Sequence, residues 1–171
     1  MVTTLVALDT LGPAYRWKTE VSFLGDIQDG VLDGDIALKG YGDPYLVTER
    51  FWQLLRDIRA AGINSISGDV LIDDSYFAVG DYDPAAFDRE PLRAYNVSPN
   101  ALLTNFKVVR HFFEPANDGT GIRVRMDPDL QNLDIVNRLR IANGSCRGYQ
   151  RGITITPNED VSRITFSGRF P

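Results

Sequence analysis

Few residue types in this chain could carry chemistry. His111 is the only histidine and Cys146 the only cysteine among 171 residues. A Ser-His-Asp relay or a multi-histidine metal site would therefore depend on one imidazole. That imidazole lies in VVRHFFEP, between apolar residues of an expected strand, where a packed or surface strand histidine is the plain reading. Carboxylates are plentiful, notably Asp73-Asp74, Asp81, Asp83, Asp127 and Asp129. Paired acids can exchange protons or hold calcium, but none here has the twelve-residue spacing of a calcium loop, and aspartate is common in turns because it bonds its own backbone. GYGDPY has the glycines of a phosphate loop without a following Gly-Lys-Ser/Thr, so a tight turn is expected there. Arg138, Arg140, Arg147 and Arg151 could form a basic ridge, and a solvated strand face is the simpler expectation. Spacing alone yields no catalytic residue, no metal site and no cofactor motif.

The elements that must position these groups are legible in outline. Val2–Leu11 reads as a helix ended by Gly12-Pro13 but lacking a capping residue or an early acid at its start. Trp17, Thr19, Val21 and Phe23 alternate as in a strand, GDIQDG is expected to turn the chain, and VLDGDIALKG returns as the second strand of a hairpin. Thr48 is the expected N-cap of a helix with an apolar stripe of Phe51, Trp52, Leu55 and Ile58, closed by Gly62. INSISGDVLIDD follows as one strand. Ser75–Pro99 is long, aromatic and rich in Asp and Pro, which suits a functional or packed segment better than a simple connection. FKVVRHFF, GIRVRM, LDIVNRLRIA, RGITITP and SRITFSG then read as short strands. The expected architecture is α+β: a mixed α/β domain with a hairpin and one central helix, followed by a small β-rich domain. The expected divisions are residues 1–12, 13–115 and 116–171.

Totals narrow the class further. The net charge of −5 and three scattered lysines (Lys18, Lys39, Lys107) argue against a nucleic-acid binder. No apolar run approaches the roughly 20 residues of a transmembrane segment, and Met1 is not followed by a signal peptide. Cys146, in ANGSCRGY, is a reduced thiol or half of a disulfide, and its neighbourhood does not choose between them.

Four segments, VTTLVALDTLGPAYRWKTEV, LKGYGDPYLVTERFWQLLRDIRAAGI, SISGDVLIDDSYF and AYNVSPNALLTNF, resemble in order and spacing the penicillin-binding D-alanyl-D-alanine carboxypeptidases of the low-molecular-mass class C type, the S13 peptidases. LDIVNRLRI and ITFSGRFP match more loosely. The resemblance makes the opening helix the continuation of a catalytic-core helix that starts with Ser-x-x-Lys. No serine here has a lysine three residues on, Lys-Thr-Gly is absent, and the one Ser-x-Asn match, Ser98-Pro99-Asn100, falls too early and is read as a decoy. The expectation is a fragment covering the insertion between the first and second catalytic motifs, inactive alone and partnered by the missing core of the same polypeptide. The resemblance also implies a periplasmic location, peptidoglycan stem peptides as substrate, and pairing of Cys146 with a cysteine past Pro171.

By the same resemblance DDSYF lies near the substrate. There Asp73 or Asp74 would take the free ammonium of the stem peptide, with Tyr76 and Phe77 as walls. The competing expectations are a stand-alone non-catalytic module that binds peptidoglycan or a protein partner and, with no supporting spacing, an unrelated enzyme built on Asp73, Asp74 and His111. A module evolved to stand alone should have capped its first helix; the uncapped start favours the insertion. That helix is expected to fray or to pack against a neighbouring copy.

Overall fold

A computed structural model describes residues 1–116, 121–145 and 147–171, so Cys146 and the centre of EPANDGTG lie outside the described residues. The architecture is α+β, as expected, and the chain divides into Met1–Val108 and Val109–Pro171.

In the first unit, α1 (Val2–Leu11) has no side-chain cap at Met1, and Gly12, at φ +80°, closes it by donating to the Leu8 carbonyl. Its apolar residues are spread around the helix rather than gathered on one face, and none of its residues is buried. β1 (Thr19–Gln28) and β2 (Val31–Gly40) form an antiparallel hairpin in unbroken register from Thr19↔Gly40 to Gln28↔Val31. The turn is only Asp29-Gly30, at φ +51° and +79°, both left-handed as a two-residue I′ turn requires. The expected turn over GDIQDG is thus too wide. Its first glycine, Gly25, lies inside β1 opposite Gly34, where a Cβ would sit 2.1 Å from the Asp33 carbonyl oxygen. Gly25 marks a close crossing of strands rather than a reversal.

INSISGDVLIDD also departs from expectation, forming two short strands, β3 (Ser65–Ile66) and β4 (Val70–Asp73), both parallel to β2. Between them the ladder is taken over by a side chain. The Asp69 N–H donates to Asp35 Oδ1 (2.8 Å), while the Ile36 N–H donates to the Asp69 carbonyl (3.0 Å).

α2 (Thr48–Ala60) starts one residue earlier than expected: its N-cap is Val47, with no side-chain cap bond, and Thr48 is already helical. Gly62, at φ +94°, ends it by donating to the Arg59 carbonyl. Phe51, Leu54, Leu55 and Ile58 line the apolar space against Ile36, Leu38, Ile63 and Ile66 of the sheet and its connection. Trp52 leaves the expected stripe and is 69% exposed. One residue is about 100° of helical rotation, so Phe51 and Trp52 cannot both face the sheet, and Leu54 takes the inward position. Leu32, Ile36 and Ile63 form the buried centre.

The second unit has a strand in each of the five expected segments. β5 (Arg110–Pro115) pairs antiparallel with β6 (Ile122–Asp127); β7 (Asp134–Ile141) runs parallel to β9 (Arg163–Phe170), and β8 (Ile153–Pro157) runs antiparallel to β9. Phe166, fully buried, packs against Phe113 (ring centroids 5.4 Å) and His111 (4.9 Å).

His111 is therefore the packed strand histidine expected, and its Nε2 is buried without a hydrogen-bond partner among the described residues. Burial pushes the imidazole's pKa below its usual value of 6.5. The folded state resists the proton that the unfolded chain accepts, so stability is complete above about pH 6.5 and falls as the pH drops through that value. We expect a lower urea midpoint for the second unit at pH 5.5 than at pH 7.5, and a flatter profile for His111→Leu. Equal losses in the two proteins would remove His111 as the cause.

Candidate functional site

Three strands bring distant charges into one row. The registers Glu20↔Lys39 and Lys39↔Asp73 set these residues side by side across β1, β2 and β4. Alternation along the strands turns this row away from α2, whose side of the sheet carries Ile36 and Leu38. The Lys39 ammonium lies 2.8 Å from Asp73 Oδ2. Asp73 Oδ1 accepts from the Ser75 hydroxyl (2.6 Å) and the Ser75 N–H (3.1 Å). The Lys39 hydrogen bond, followed by those from Ser75, holds the Asp73 carboxyl at about 2, well below the usual carboxylate range. The same contact raises Lys39.

A second group continues the row. Glu20 accepts from Lys18 (2.7 Å) and from the Tyr41 hydroxyl (2.6 Å), so its carboxyl is lowered, while Lys18 and Tyr41 are raised. The Lys18 ammonium also sits 4.1 Å from the centroid of the Tyr41 ring. Tyr41 packs on Tyr76 (5.1 Å) and Tyr76 on Phe77 (5.7 Å), which makes a run of three rings beside the charges. Tyr76 is 57% and Phe77 39% exposed. Phe77 lies against Gly42, where a Cβ would meet its Cζ at 2.3 Å, and Gly42 is at φ +82°.

The two expected aspartates thus have different surroundings. Asp73 is neutralised by Lys39, whereas Asp74 Oδ2 accepts from the uncharged amide of Asn100, and no cation pairs with Asp74 among the described residues. Lys18 pairs with Glu20 and Lys39 with Asp73, which leaves Asp74 as the aspartate of this pair held by a neutral donor. Contacts link Asp73 through Lys39 and Tyr41 to Tyr76 and Phe77, with Glu20 and Lys18 continuing the row, while Asp74 is joined to Asn100; Lys18, Glu20, Lys39, Tyr41 and Asn100 were not assigned from the sequence. The alternation of β2 could have shown Lys39 on the polar face of the hairpin, but its pairing with a residue 34 positions away could not be read.

The long Ser75–Pro99 segment is tied down by its own polar groups. The buried Asn96 amide donates to Asp88 Oδ1 (2.7 Å) and to the Glu90 carbonyl (3.0 Å), and the Tyr95 hydroxyl donates to Asp88 Oδ2 (2.7 Å). Beyond it, the Gly42 N–H donates to the Ala101 carbonyl (2.8 Å), which fastens the Asn100–Leu102 stretch to the end of β2. No group of three or more potential metal ligands occurs among the described residues, and no described helix is long and apolar enough to cross a membrane. His111 belongs to the second unit.

Carboxylates and partly exposed rings are groups that can hold a cation on an aliphatic arm. The model of the D-Ala-D-Ala carboxypeptidase 3 (S13) family matches residues 1–171, and the chain belongs to that family. It is 33% identical over 79 residues to D-alanyl-D-alanine carboxypeptidase DacB of Haemophilus influenzae, covering 46% of this chain and 16% of that protein. It is 30% identical over 112 residues to the D-alanyl-D-alanine carboxypeptidase of Actinomadura sp. strain R39, covering 60% and 19%. Both alignments span less than a fifth of the curated relatives' length. The crystal structure of penicillin binding protein 4 (dacB) from Haemophilus influenzae superposes with a TM-score of 0.67 at 20% identity, over 98% of this chain and 37% of that one. The same protein complexed with a novel beta-lactam gives a TM-score of 0.57 at 19% identity, over 98% and 34%. At these identities the superpositions establish the shared fold.

Proposed function

We propose that this chain is the substrate-recognition part of a serine-type D-alanyl-D-alanine carboxypeptidase/endopeptidase that acts on peptidoglycan stem peptides in the periplasm. The acylating Ser-x-x-Lys and the Lys-Thr-Gly motif are not among its 171 residues. In this reading they belong to a catalytic core of the same polypeptide, and the chain alone is inactive.

The observation that supports the assignment is the unequal treatment of the two aspartates. Asp73 already has an ammonium, Lys39, at 2.8 Å, whereas Asp74 is held by the neutral amide of Asn100, and the packed rings of Tyr76 and Phe77 follow it in the chain. A free ammonium on the stem peptide would form a charge-assisted hydrogen bond with Asp74, and the two rings would cover the methylenes leading to it. Asp73 then serves to hold the end of β4 to β2.

Two measurements test this. Calorimetry with a stem-peptide analogue ending in D-Ala-D-Ala should show Asp74→Asn weakening binding about tenfold, with a smaller effect from Asp73→Asn. N-acetylating the analogue's free amine should mimic the Asp74 loss; indifference of binding to both changes would refute the assignment. Intact mass after incubation with benzylpenicillin should be unchanged, and a one-to-one covalent adduct on a serine would overturn the inactive-alone reading.

A further inference from the structure

The Ser98-Pro99-Asn100 triplet, a decoy as a catalytic motif, includes a residue with a distinct use. We infer that Asn100 is a positioning residue that orients the Asp74 carboxylate without cancelling its charge; this rests on the proposed role of Asp74 in ammonium recognition.

The orientation of the Asn100 carboxamide follows from its partners. Its Oδ1 accepts from the Leu102 N–H at 2.8 Å, which leaves the amide nitrogen as the group facing Asp74. That nitrogen donates to Asp74 Oδ2. The stretch carrying Asn100 is anchored at buried Ala101, whose carbonyl accepts from the Gly42 N–H, and farther on by the Asn105 N–H donating to the Leu46 carbonyl (2.9 Å). The hydrogen bond thus links a fixed backbone to a carboxylate 26 positions earlier in the chain.

The donor's chemistry matters. A lysine or arginine in this place would fix the carboxylate and also neutralise it, as Lys39 does to Asp73. An amide restricts the side chain and leaves the full negative charge for an incoming ammonium. A carboxylate fixed before binding loses less conformational freedom on forming the ion pair, so affinity rises without a further contact to the ligand.

The experiment compares Asn100→Ala and Asn100→Asp, alone and combined with Asp74→Asn. Asn100→Asp retains an acceptor for the Leu102 N–H, so the local turn is preserved while the donor to Asp74 is lost. In the free chain, the Hα–Hβ couplings of Asp74 should report one rotamer in the parent and averaging in both variants. Asn100→Ala should bind the amine-bearing analogue about fivefold more weakly and should add nothing in the Asp74→Asn background. Unchanged Asp74 couplings, or an equal loss in that background, would overturn the inference. If Asp74→Asn itself leaves binding intact, the ammonium reading fails and the coupling measurement still decides whether Asn100 orients Asp74.

Discussion

Phe166→Ala is expected to cost the second unit about 3–5 kcal/mol and to leave it largely unfolded at room temperature. Phe166 has no solvent exposure and is the ring on which His111 and Phe113 converge. Its backbone lies in β9, the central strand of the β7-β9-β8 sheet, so the residue joins the sheet to the aromatic cluster. A unit of about 60 residues has little stability in reserve, and a cavity at its centre removes most of it. Amide exchange provides the measurement: protection in β7, β8 and β9 should collapse while the β1–β2 hairpin keeps its own. Phe166→Leu, which refills part of the volume, should retain a cooperative transition. Undiminished protection in β9 of the alanine variant would show that the core lies elsewhere.

Gly40→Val carries the second large effect, and its sign opposes strand propensity. Valine suits a strand better than glycine, so propensity alone would have the substitution stabilise β2. Gly40, however, faces backbone: a Cβ there would sit 2.1 Å from the Ala101 carbonyl oxygen and 2.7 Å from the Leu102 Cα. No rotamer relieves a clash with main chain, so the Asn100–Leu102 stretch must lift from the end of β2. We expect a loss of about 3 kcal/mol, rupture of the bond from Gly42 to Ala101, and a binding defect like that of Asn100→Ala. The denaturation midpoint and the side-chain amide resonances of Asn100 report both parts. A gain in stability would show that the stretch accommodates the side chain.

What could be read from the sequence, and what could not, divides along a physical line. Local chemistry was legible: the β1–β2 hairpin, the glycine that ends α2, the missing cap of α1 and the five short strands of the second unit rest on signals that act over a few residues each. The errors are also instructive. Trp52 was assigned inward because an aromatic near an apolar stripe looks like core, when only the helix's rotation relative to the sheet decides. Gly25 was read as turn because a glycine that permits a close crossing and one that permits a reversal are alike in sequence. In the patch, Asp73, Asp74, Tyr76 and Phe77 were named through resemblance, but which aspartate bears the unpaired charge depends on Lys39 and Asn100, 34 and 26 positions away. No periodicity encodes those pairings; strand register does.

The parallel register of β4 on β2 has a consequence for how this surface tolerates change over evolutionary time. Asp73 meets Lys39, and Asp74 reaches Asn100, only because Val70 lies opposite Ile36, an alignment locked by Asp35 and Asp69. Removing one residue between Ser67 and Ile72 would flip every later side chain to the opposite face and separate the charges while altering none of them. In this stretch, chain length is therefore the inherited quantity: substitutions at exposed Val70 or Leu71 leave the patch standing, and a single-codon insertion or deletion dismantles it.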